Sequence, residues 1–156
     1  MAGRAKAPGS AVTFGEVLGA VVVRRRVDLK KSQGEMAKDL KLSQAALSRL
    51  ERGRSTMSVP HLRTAARTLG VQVSLLVAEA ELGAEALSHR GISVLDAEPV
   101  EEEKARWVRV AQKEVEAAVA SVAIHIKMPT ASSSAWTWTK VKEKEPELVQ
   151  VHQGRA

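Results

Sequence analysis

Helix-start signals recur at short intervals between Thr13 and Ser74, and they restrict the fold more than any other feature of the chain. Thr13-Phe14-Gly15-Glu16 and Ser32-Gln33-Gly34-Glu35 both have capping-box spacing, in which the first side chain accepts from the fourth residue's N–H and the Glu reaches back. Ser43 and Ser58 are good N-caps, Pro60 follows in a first helical turn, and Ser74 offers a fifth start. Gly53 and Gly70 stand where helices would stop in a left-handed cap. A chain punctuated in this way forms short helices joined by brief connections. Each has an apolar stripe: Phe14, Leu18, Val21 and Val22 in a helix running to about Arg26, then Met36, Ala37 and Leu40, then Leu47 and Leu50. Leu62, Ala65, Ala66 and Leu69 form the fourth stripe, and Leu75, Leu76 and Leu82 a short fifth. The reading is a mainly α protein with a five-helix domain over residues 13–82.

Around that domain the sequence is less regular. Residues 1–12 are small, basic and broken by Pro8-Gly9, which predicts a flexible basic arm. Residues 83–98 have no clear period and read as a linker. In residues 99–156 the spacing predicts one long helix starting after Pro99, with Glu101, Glu102 and Glu103 in its first turn. Val108, Ala111, Val115, Ala118 and Val122 would then share one stripe, bordered by Trp107. Such a stripe suits a dimer contact or packing against its own domain, and sequence does not separate the two. Beyond it, Ile124, Ile126, Met128, Trp136 and Trp138 alternate weakly, as in a short β-hairpin, and the charged tail from Lys140 is loose.

Charge placement narrows the function. Residues 1–82 hold 14 Lys and Arg against 7 Asp and Glu, a net +7, whereas residues 83–156 hold 10 against 11. A basic domain joined to a near-neutral one suits a reader of nucleic acid with an appended interaction segment. Phe14 is the only aromatic residue of the basic half, which argues against base stacking on single strands. The chain has no cysteine, so disulfides and thiol chemistry are excluded. Its early apolar run, Ala20 to Val23, precedes Arg24-Arg25-Arg26, the reverse of a signal peptide, and a cytoplasmic protein without membrane contact is expected.

Residues 33–52 carry the motif that bears on function. Two amphipathic helices crossing closely need a small residue midway along the first, and Ala37 supplies it. Leu40, Leu42, Leu47 and Leu50 flank and follow a turn at Lys41 to Ser43. The outer face of the second helix is then free to enter a DNA major groove.

At this point the sequence resembles the Cro/C1 repressor family, also called XRE, from Phe14 to about Leu82. Ser32-Gln33, Ser43-Gln44, Leu50-Glu51-Arg52-Gly53 and Leu69-Gly70-Val71 coincide with family elements in order. The resemblance implies a lambda-repressor-like helix-turn-helix fold and binding to double-stranded DNA. It implies base contacts from Gln44, Ala45 and Arg49 on the recognition helix, and a phosphate contact from Gln33. Ser43, Ser48, Arg52 and Arg54 are placed for backbone phosphates, which position without specifying. A Glu matching Glu51 commonly pairs with an Arg of helix one, here Arg25 or Arg26. Lys41 stands where the family often has Gly, so it must accept a left-handed conformation. The Val27 to Lys31 stretch is longer than usual.

No enzyme is expected. His61, His89, His125 and His152 lack ligand spacing, and no phosphate-binding glycine loop occurs, so neither metal nor cofactor is implied. Ser132, Ser133, Ser134 and Lys140 do not suffice for a self-cleaving domain. Two functions follow: a dimeric repressor held together by Trp107, Val108, Ala111, Val115, Ala118 and Val122, or an antitoxin-type adaptor whose second half binds another protein.

Overall fold

The computed structural model describes residues 9–104 and 106–123. Their order is β1 (Gly9–Thr13), α1 (Phe14–Asp28), α2 (Gln33–Asp39), α3 (Gln44–Glu51), α4 (Val59–Thr68), α5 (Val73–His89), β2 (Ser93–Leu95), α6 (Glu101–Lys104), β3 (Trp107–Arg109) and α7 (Gln112–Ala123). The fold is mainly α, with five helices in the first half as the caps require. Thr13 and Ser32 each close a full capping box, and Ser43 and Ser58 cap α3 and α4. The expected hairpin, Trp136 and Trp138, and the Ser132 to Lys140 stretch lie outside the described residues. Among the described residues no helix is long and apolar enough to cross a membrane.

Three expectations change. The first concerns the N-terminal arm. Residues 9–12 are not a free arm but belong to β1, the centre of a three-stranded parallel sheet ordered β2-β1-β3. Ala11 pairs with Ser93 and Val12 with Val94 on one side; Gly9 pairs with Trp107 and Ser10 with Val108 on the other. Parallel strands require long crossovers, so this pairing ties the start of the chain to segments far along it.

The second concerns α5. Its N-cap is Gln72 rather than Ser74, and it continues to His89, into the stretch read as a linker. Gly83 is a packing glycine here. A Cβ on it would stand 3.1 Å from Val17 Cγ1 and 3.2 Å from Val119 Cγ2, so its absence lets α1, α5 and α7 approach closely.

The third concerns the long helix after Pro99. The chain forms the four-residue α6, then β3, then α7. Trp107-Val108-Arg109 is an aromatic and β-branched run, and β1 offers it a free edge. The stripe therefore does not exist as one surface. Val108 is on β3 and 53% exposed, while Val115 (1%) and Ala118 (0%) are sealed in the chain's own core. Trp107 and Val122 are half-buried and Ala111 is exposed. Packing against its own domain, not a dimer seam, is what α7 does with its apolar face.

The arginine triplet fastens this arrangement. Arg24 Nη1 donates to the carbonyls of Val119 and Ala120 at 3.3 and 3.2 Å, near the C-terminal end of α7. Arg25 grips Glu79 of α5 through two nitrogens. Arg26 holds Glu51 at the end of α3. Three consecutive cations thus join α1 to three other helices.

Candidate nucleic-acid interface

The interface is built on the α2–turn–α3 unit. Two hydrogen bonds to Ser32, from its hydroxyl and its N–H, hold the Glu35 carboxyl below the usual carboxylate range and secure the start of α2. Buried Ala37 lets α3 cross closely. Lys41 then turns the chain with φ of 56°, the left-handed conformation its position requires, while the Leu42 N–H donates to the Ala37 carbonyl at 2.9 Å. Ser43 Oγ accepts from the Ala46 N–H at 3.1 Å, and α3 begins.

Leu47 and Leu50 point into the core, which decides what α3 presents outward. Gln44, Ala45 and Arg49 are exposed, and so are Ser43, Arg52 and Arg54; Ser48 is half-buried. Gln44 and Ala45 occupy the first turn, and Arg49 follows about one turn on. Among the described residues Arg49, Arg52 and Arg54 make no ion pair, so their charge is available. The Arg54 N–H donates to the Arg49 carbonyl at 2.9 Å across Gly53, whose φ is 65°. Gly53 sits against the start of α1, where a Cβ would stand 2.5 Å from Glu16 Cα.

Glu51 is an internal anchor. It is 2% exposed and takes Arg26 Nε at 2.7 Å and Nη2 at 3.2 Å. Of the two arginines offered by the sequence, the partner is Arg26. Gln33 joins the same carboxylate, donating from Nε2 at 2.6 Å. Its side chain is thus tethered inward, and its N–H, at the first residue of α2, has no partner within the helix. Sequence reading did not anticipate this link, because Gln33 and Glu51 lie 18 residues apart.

One further charge lies near this face. Glu98, on the β2–α6 connection, is held below the usual carboxylate range chiefly by its hydrogen bond to Arg109, with a smaller pull from Arg54.

A family model described as helix-turn-helix matches residues 23–76, which include α2, the turn and α3. A crystal structure of the clp gene regulator ClgR from C. glutamicum is 34% identical, over 44% of this chain and 88% of that one, with a TM-score of 0.42. A second ClgR structure, from Corynebacterium glutamicum, is also 34% identical over 49% and 81%, with a TM-score of 0.46. No curated protein matches.

Proposed function

Since the chain belongs to the XRE (Cro/C1-type) family of helix-turn-helix DNA-binding transcriptional regulators, we propose that it is a repressor that reads the major groove with α3. The observation that carries this reading is the outward face of α3. Gln44, Ala45 and Arg49 are solvent-exposed together on a helix whose other face is locked by Leu47 and Leu50. Gln bonds adenine in a bidentate way, Arg does the same with guanine, and the Ala45 methyl meets a thymine methyl. Ser43, Ser48, Arg52, Arg54 and the N–H of Gln33 take backbone phosphates. A single module of this kind buries too little surface for tight specific binding, so the working form is a homodimer on a palindromic site, with half-sites about 34 Å apart. The α7 stripe is not its contact.

Selection of bound duplexes from a random-sequence pool, using the full chain, tests this. A palindromic consensus is expected, and recovery of unrelated sequences overturns the reading. On the selected site, Arg49→Ala should lose about 1–3 kcal/mol of discrimination at a guanine position while binding random duplex almost unchanged. Equal weakening on both duplexes removes Arg49 from base readout.

Arg52 and Arg54 act on any sequence. Replacing both with alanine should weaken binding to selected and random DNA alike and lower the slope of log K against log salt by roughly two. An unchanged slope takes them out of the interface.

A further inference from the structure

A half-open cleft of about 410 Å3 lies between the central strand β1 and the segment running from β2 to β3. That volume is within the ordinary range for small-molecule sites, roughly 300–1,000 Å3. Leu95 and Trp107, both half-buried, supply apolar wall. The Trp107 ring lies over Gly9, where a Cβ would stand 2.9 Å from ring carbon Cζ3, so the indole is held against β1.

The polar groups of the cleft are unequal. Glu16 is buried and its carboxylate is committed: Oε2 accepts from the Thr13 N–H at 2.8 Å and from Thr13 Oγ at 3.0 Å, and Oε1 faces Arg109 Nε at 3.6 Å. Arg109 is anchored on β3 and has five donors. Its second partner is Glu98, whose side chain is 54% exposed on a connecting segment. Lys104 adds a second positive charge and pairs with Glu101. The cleft therefore holds a strand-borne cation with spare donors, opposed by a half-exposed carboxylate on a connecting segment. Among the described residues its buried side-chain acceptors, Glu16 and the Thr13 hydroxyl, are already engaged with each other. A cationic ligand would meet Arg109 and Lys104, and a neutral one would not replace Glu98.

We propose that this cleft binds a small aromatic carboxylate, which takes the place of Glu98 on Arg109 and lays its ring against Trp107 and Leu95. A carboxylate on a guanidinium forms paired charge-assisted hydrogen bonds, and the ring removes apolar wall from water. The proposal concerns binding alone and does not depend on how α3 is used.

Calorimetric titration of the full chain with 1-naphthoate, and with 1-naphthamide as its uncharged counterpart, tests it. Naphthoate should bind one to one, with naphthamide roughly 10- to 100-fold weaker, the loss of a hydrogen-bonded charge. Glu98→Gln removes the competing charge and should tighten naphthoate several-fold. Arg109→Gln should abolish binding, with a melting curve run alongside to show that the variant is folded. The Glu98→Gln arm stands whether or not Arg109→Gln folds. Absence of binding at millimolar naphthoate, equal binding of the amide, or unchanged or weaker binding by Glu98→Gln overturns the proposal.

Discussion

Glu51→Ala is expected to cost about 3–5 kcal/mol of folding stability, the range for removing one member of a buried ion pair. The carboxylate is the shared acceptor for Arg26 and Gln33, and Arg26 is itself largely buried, with a side chain 11% exposed. Removing it strands a guanidinium between α1 and α3 and frees the Gln33 amide. The loss is one of geometry as well as stability, because this carboxylate connects α1, α2 and α3 at the end of the proposed recognition helix. Chemical denaturation reads the stability directly. Arg26→Ala alone should be comparably damaging, and the double variant should lose much less than the sum of the two, since neither charge is then left alone. A sum equal to the separate losses would mean that the pair is not the unit described.

Gly19→Ala is the second large effect expected, at about 2–3 kcal/mol of destabilisation and occasionally more. Gly19 is buried in α1, where the backbone end of α3 passes directly over it. A Cβ there would stand 2.8 Å from the Glu51 carbonyl carbon and 2.9 Å from Leu50 O, with Glu51 O closer still. The obstacles are backbone atoms, which cannot rotate away, so α3 must shift. Alanine's better helix propensity returns only about 1 kcal/mol. Gly34→Ala provides the contrast. A Cβ there meets only Ser32 Oγ at 4.0 Å, so that variant should be neutral or gain up to about 1 kcal/mol. Thermal melts of the two variants should move in opposite directions, or Gly19 alone should move. Equal melting temperatures would refute the close approach of α1 and α3.

The parts of the molecule legible in the sequence were those whose cause lies within a few residues. Capping boxes at Thr13 and Ser32 bond across three positions, so they appear in the sequence as they appear in space. The left-handed turn at Lys41 follows from the two helices on either side, and the outward set Gln44, Ala45 and Arg49 follows from the inward set Leu47 and Leu50. Helix period converts one into the other.

Other features had their cause elsewhere in the chain. Residues 9–12 carry no strand signal that outweighs Pro8-Gly9, and they become β1 only because β2 and β3 arrive on both sides. Gly83 fell at the start of the stretch read as a linker and is a contact between three helices. Arg24-Arg25-Arg26 looks in sequence like one basic patch, yet its members serve α7, α5 and α3 separately, so little of that charge is left for DNA.

The sequence by itself determined the helix-turn-helix, its caps and the face that α3 turns outward, because local hydrogen bonds and a 3.6-residue period are written in neighbouring residues. Only the tertiary structure decided which acid each arginine meets, that α7 closes the core with Val115 and Ala118, and that β1 joins the two halves. Those outcomes depend on which segments, from 25 to nearly 100 residues apart, bury their apolar surface together, and the cost of bringing them together rises so slowly with chain length that sequence distance does not forbid or select any pairing.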